Sequence, residues 1–287
     1  MKSVFLYRVA VLGLVLSVAA AAQADLLFIN GPIITNPTGG SGSIAGLPIS
    51  VADTYTLPGS GSLYSTAGIS ASYSDNTAAA ENFVVPEGGW NLDSVTLFAF
   101  QTGHTDASVS TIRVNLWTTA PLSELSPPPL PDPLPQPILA TPLVLAAGPG
   151  TFVCHRESHN STSTVRPVYS YTVSLDDLPD GGVLPAGSYW LEWSFVGAAT
   201  PSPRVYMPMV TPRDSAYDLN ARLWNSTDGT LSGPRAWFEG REGYVAGSAE
   251  GRPYALPFVL NGTPAPEPGT IALLLAGAAL VIGRRRG

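Results

Sequence analysis

Cys154-His155-Arg156-Glu157-Ser158-His159 is the densest run of metal-ligand side chains in the sequence. On a strand, side chains alternate between faces, so His155, Glu157 and His159 would share one face and offer three ligands. No second cluster supplies further ligands, because His104 is the remaining histidine. A solvated loop or strand end is the plainer reading, and neither a metal nor any other cofactor is expected. Nucleophilic catalysis has little to build on. The sequence lacks a Gly-x-Ser-x-Gly elbow, and His155 would face away from its neighbour Cys154 on a strand. Glycoside hydrolysis needs two opposed carboxylates, and Glu192 with Glu239 or Glu242 is the pairing to consider. Any acidic chain offers such pairs, so enzymatic activity is not expected. Asp176, Asp177 and Asp180 crowd a turn next to Gly181 and Gly182. Carboxylates there would suit a calcium ion, but the spacing is that of ordinary turn chemistry.

Six tryptophans and 11 tyrosines raise a different chemistry. Exposed aromatic faces pack against the apolar faces of sugar rings, so a carbohydrate-binding patch needs tryptophans that point outward. By alternation Trp117 and Trp190 fall on the outward side of their strands. Trp224 and Trp237 stand in Gly- and Asn-rich stretches that read as loops. The competing reading is that these side chains cap the core or the loops.

The elements that must position these residues are strands. Ile112, Val114 and Leu116 alternate with Thr111, Arg113, Asn115 and Trp117, a period of two. Tyr169, Tyr171, Val173 and Leu175 alternate with Ser170, Thr172 and Ser174. Tyr189, Leu191, Trp193 and Phe195 alternate with Trp190, Glu192 and Ser194. The run from Val95 to Phe100 is apolar on both faces and suits a central strand. Asn82 to Val85 and Pro257 to Leu260 read as further strands, and no amphipathic helix is evident between residues 25 and 262. With 29 Gly and 28 Pro in 287 residues, turns are frequent. The expected fold is mainly β, a single antiparallel sandwich of jelly-roll type. Residues 121–149 read as a Pro-rich loop, with eight prolines between Pro121 and Pro137. Asn36 to Gly42 reads as a flexible stretch.

Charge excludes one partner class. Between Asp25 and Gly283, nine arginines and no lysine stand against all 21 acidic residues. Such a body is repelled by phosphate backbones, so no nucleic-acid partner is expected. Cys154 is the single cysteine, which rules out an intramolecular disulfide.

Both ends carry targeting patterns. Lys2 and Arg8, an apolar run from Val9 to Ala22, and the small residues Ala22 and Ala24 form a signal peptide over residues 1–24, with cleavage by signal peptidase expected before Asp25. At the other end Pro266-Glu267-Pro268 precedes an uncharged apolar run from Thr270 to Ile282, then Arg284, Arg285 and Arg286. That run is shorter than the ~20 residues of a comfortable bilayer-spanning helix. Local thinning and snorkelling arginines would let it insert, with the arginines as a cytoplasmic stop.

This tail resembles the PEP-CTERM sorting signal of Gram-negative bacteria that make exopolysaccharide. The resemblance covers residues 263–287 and implies an exosortase substrate, with Pro266, Glu267 and Pro268 as the recognition motif. It implies export across the inner membrane, a transient or stable tether there through the C-terminal helix, and then the cell surface or the extracellular matrix. More loosely, Asn82 to Val95, Arg166 to Val168 and Leu184 to Leu191 look like a segment recurrent in secreted bacterial β-sandwich proteins. The expected organisation is therefore a signal helix at 1–24, a β-sandwich at 25–262 and a sorting tail with a short transmembrane helix at 263–287. The expected function is a non-enzymatic surface or matrix protein associated with exopolysaccharide. The alternative is a carbohydrate-binding module that recognises that polysaccharide.

Overall fold

The computed structural model describes residues 25–51, 54–56, 63–65, 69–75, 77–104, 109–121, 134–156, 166–198, 204–208, 221–226, 235–239, 241–242, 252–253 and 255–265. This part of the chain is mainly β. Its helical pieces are the short 3-10 turns Gly42–Ile44, Tyr73–Asp75 and Pro179–Gly182. No helix among the described residues is long and apolar enough to cross a membrane. The signal helix expected at 1–24 and the apolar tail helix expected after Pro266 lie outside the described residues.

Thirteen strands build two large sheets. In chain order they are β1 (Asp25–Ile29), β2 (Ile49–Ser50), β3 (Ala78–Val85), β4 (Trp90–Ala99), β5 (Val109–Trp117), β6 (Leu143–Ala146), β7 (Thr151–Arg156), β8 (Pro167–Ser174), β9 (Val183–Leu184), β10 (Gly187–Gly197), β11 (Arg222–Ser226), β12 (Arg235–Glu239) and β13 (Phe258–Pro264). The seven-stranded sheet has the order β1-β13-β4-β8-β7-β2, with β9 also paired to β4. The six-stranded sheet has the order β12-β11-β3-β10-β5-β6. Three two-stranded ribbons complete the pairing among the described residues.

The period of two in the sequence decides which side chains meet between the sheets. Val95, Leu97, Tyr171, Val173, Phe258 and Leu260 of one sheet share an apolar core with Phe83, Ile112, Val114, Leu116, Leu191 and Phe195 of the other. Aromatic contacts tie the layers together. Tyr171 meets Phe195 at 6.1 Å between ring centroids, Trp193 meets Phe258 at 5.9 Å, and Phe83 stacks parallel on Trp90 at 6.2 Å. A fully buried side chain of this size contributes about 1.5–3 kcal/mol relative to exposure, so this layer is the main source of stability. The run from Val95 is a central strand as expected, with β13 on one side and β8 on the other.

Four expectations need correction. The sheets are not purely antiparallel, because β2 pairs with β7 in parallel register. That pairing becomes possible because the stretch before β2 folds back on itself. Asn36 and Ile49 bond to each other through both backbone groups, and Ile44 is buried. The stretch from Asn36 to Gly42, expected to be flexible, is held by this bridge and by Asn36 Oδ1, which accepts the Thr38 N–H. The Pro-rich region at 121–149 is not loop throughout. Ile138 donates its N–H to Leu116 O at 2.7 Å, and β6 then pairs with β5, so the chain re-enters the ladder once the prolines end. Finally, the body does not stop at 262. Strand β13 runs on to Pro264, two residues into the expected tail.

Candidate functional site

The residues best suited to binding lie on the outer face of the six-stranded sheet. On β10, Tyr189, Leu191, Trp193 and Phe195 enter the shared core, which leaves Trp190, Glu192 and Ser194 on the other side. Strand register places Trp190 between Asn82 of β3 and Trp117 of β5, and Glu192 between Ala80 and Asn115. The indole N–H of Trp117 donates to Glu192 Oε2 at 2.7 Å, a charge-assisted bond. Asn115 holds the neighbouring chain: its Nδ2 donates to Leu139 O, and its Oδ1 accepts the N–H groups of Leu116 and Leu139.

The sequence reading placed Trp117 and Trp190 on the correct face and gave that face the wrong exposure. Trp117 is 6% exposed and Trp190 2%, packed with Ala78, Ala80 and Ala120 in a second small core. Alternation predicts the side of a sheet, not whether something covers it. Trp224 and Trp237, expected in loops, lie instead on paired strands β11 and β12, directly opposite each other. Trp224 is also opposite Ala78, so a backbone row Trp237–Trp224–Ala78 runs across this sheet. The signal for these strands was weak because Asn220 and Asn225 flank Trp224 and Gly233 and Gly240 bracket Trp237.

Among the described side chains, Glu81 and Glu192 do not share a face. Glu81 is fully buried on the core side of β3, where Oε1 accepts the Asn82 N–H at 2.9 Å and Oε2 accepts the Leu256 N–H at 2.8 Å. Glu192 is on the opposite face of the same sheet. The row that contains Glu192 continues through Ala80 and Arg222 to Glu239. Those two glutamate positions are three strand steps apart, about 14 Å at the usual strand spacing.

At the Cys-His run, β7 ends with three buried residues, Cys154, His155 and Arg156. Cys154, the single cysteine, forms no disulfide and packs with Ile33, Phe100 and Val168. The imidazole of His155 lies 5.0 Å from the Phe152 ring, and its buried Nδ1 has no hydrogen-bond partner among the described residues. Burial disfavours the imidazolium and pushes the His155 pKa below 6.5. The Arg156 guanidinium lies 5.2 Å from the Phe100 ring centre. Glu157 and His159 lie outside the described residues, among which no group of three potential ligands gathers. Asp176, Asp177 and Asp180 are exposed. Asp180 and Gly181 adopt left-handed backbone, at φ 56° and 65°, and close the tight turn into β9.

That turn borders a cleft of about 260 Å³ where the two sheets part, walled by Leu116, Ile138, Leu178, Leu184 and Tyr189. It falls below the ~300–1,000 Å³ typical of small-molecule sites. Tyr189 donates its hydroxyl proton to Pro185 O at 3.0 Å, and burial raises its pKa above 10.0.

The same end of the molecule holds the junction with the tail. Thr263 and Pro264 pair with Asn91 and Trp90, and the Ala265 N–H then bonds Gly89 O at 3.0 Å. Gly89 has φ 81°, and a Cβ there would approach Leu184 O to 2.7 Å, so only glycine fits. The remaining predicted site residues, namely Ala22 and Ala24, Pro266, Glu267 and Pro268, and Arg284, Arg285 and Arg286, lie outside the described residues. Comparison of the chain with known protein families, with curated proteins and with solved structures finds no match.

Proposed function

We propose that the chain is an exported, non-enzymatic cell-surface or extracellular-matrix protein, a jelly-roll-type sandwich sorted by a PEP-CTERM tail and associated with exopolysaccharide. The observation that carries this reading is the pairing of the first and last strands, with Asp25 opposite Gly262 in antiparallel register. The start of β1 and the end of β13 therefore sit together at one end of one sheet. The expected signal-peptidase bond precedes Asp25, and Pro266 follows directly on Ala265. Both membrane-directed segments leave the body from that end, so the folded domain can remain tethered through either without breaking a strand pair. Signal peptidase and exosortase are the expected processing partners, acting there from the inner membrane.

The test is to fractionate cells with and without the exosortase and to determine both termini of the mature protein by mass spectrometry. The expected product begins at Asp25 and has lost Arg284, Arg285 and Arg286 when the enzyme is present. An intact C-terminus under that condition sinks the sorting claim. A carbohydrate-binding body is the second reading, favoured by the backbone row that aligns Trp237 and Trp224 across the six-stranded sheet. Binding of the exported protein on a glycan array, abolished by Trp224→Ala, is its expected signature; an array without hits removes it.

A further inference from the structure

Strand order in the seven-stranded sheet runs against chain order. The last of its described strands, β13, is an inner strand held between β1 and β4. The first, β1, pairs with β13 and has no second strand partner among the described residues. Just past β1, the Asn30 N–H donates to Phe258 O at 2.9 Å, and Asn30 Nδ2 donates to Leu256 O at 2.7 Å. With β13 absent, β1 and β4 would stand two strand spacings apart, about 10 Å, far beyond the reach of a backbone hydrogen bond. β1 then loses its place in the sheet, and the backbone groups of β4 that face β13 lose their partners.

The core has the same dependence. Phe258 and Leu260 are fully buried. The Phe258 ring lies 5.2 Å from that of Phe28 on β1, 6.1 Å from Phe83 on β3 and 5.9 Å from Trp193 on β10, so one side chain of β13 meets both sheets. Just before the strand, the Leu256 N–H donates to Oε2 of the fully buried Glu81 at 2.8 Å. Without residues 256–264 the core has a hole where two large side chains belong, and the Glu81 carboxylate has one donor fewer. Closing the sandwich around that slot is unfavourable on both counts.

We propose that β13 is a folding latch: the sandwich closes only when residues 256–264 have arrived, and until then the chain stays unfolded. A chain delivered from its N-terminus, by a ribosome or through a translocation pore, brings these residues after every other described strand. Nearly the whole body therefore emerges before it can fold. An unfolded chain is what a narrow pore can thread, so the latch suits export. It follows from strand order, however, and stands without the export reading.

The experiment gives the full protein a specific protease site between Glu242 and Arg252. Cut while folded, it is expected to keep the single denaturant transition of the uncut chain, because β13 stays bound. Unfolding and separation then yield a longer piece that lacks β13, expected to have lost that transition. A peptide of residues 252–265 is expected to restore both the transition and the native tryptophan fluorescence, and the same peptide with Leu260→Asp to restore neither. Recovery by the longer piece alone, or equal rescue by the two peptides, overturns the proposal. Pulsed hydrogen exchange on the natural chain as it refolds is the second measurement and needs no variant. Amides of β8 and β10 are expected to gain protection together with those of β13. Their protection in an earlier phase overturns the proposal as well.

Discussion

Trp117 and Glu192 form the most consequential pair of side chains outside the shared core. Trp117→Phe keeps the ring and removes the N–H that reaches Glu192 Oε2. A buried carboxylate deprived of one donor costs about 1–3 kcal/mol, which urea unfolding would show as a lower midpoint at unchanged slope. His155 makes stability depend on pH. Its folded pKa lies below 6.5, so between the two values the unfolded chain binds more protons. Its contribution is complete above about pH 6.5 and is lost as pH falls through the lowered folded value. The melting temperature of the natural protein is expected to drop over that window more steeply than that of His155→Gln. Equal slopes for the two would show that the imidazole is not the cause. Tyr189→Phe removes the bond to Pro185 O and is expected to cost roughly 1 kcal/mol in the same unfolding assay.

Among the elements, β13 has the most demanding environment. It lies between β1 and β4, and its Gly262 backs onto Asn91 O and Leu27 Cδ1 with no room for a Cβ. Gly262→Ala must push β13 away from β4 or displace β1, at a cost of about 1–3 kcal/mol by overpacking. Increased proteolysis near Asp25, measured by limited digestion and mass spectrometry, is the expected local sign; an unchanged digest would contradict it. Glu81 secures the approach to the same strand by accepting the Leu256 N–H, and Asn30 adds a bond from its Nδ2 to Leu256 O at 2.7 Å. The chain that enters β13 is thus fixed from both β3 and the segment after β1.

For the whole molecule, one core joins the two sheets, and this sets its unfolding behaviour. Trp90 and Trp193 both belong to that core, so their fluorescence reports its integrity. Loss of fluorescence and loss of far-ultraviolet circular dichroism are expected to coincide in a single denaturant transition. Two separated transitions would mean that the sheets unfold independently.

Strand content and facing were legible from residues alone because side-chain direction on a strand has a fixed period, as on β5, β8 and β10. The runs of charge, apolarity and proline at the two ends were equally local features of the sequence. Coverage of a face was not legible. Trp117 and Trp190 alternate outward and yet are buried, because burial there depends on residues distant in sequence: Ala78 and Ala80 for both, and each tryptophan for the other. Strand pairing was also decided by the tertiary structure. No local pattern indicates that Asp25 meets Gly262, that Ile49 joins β7 in parallel, or that Trp224 stands opposite Trp237. Register arises from long-range backbone hydrogen bonds and from the shared fit of two apolar faces, both properties of the assembled sheets.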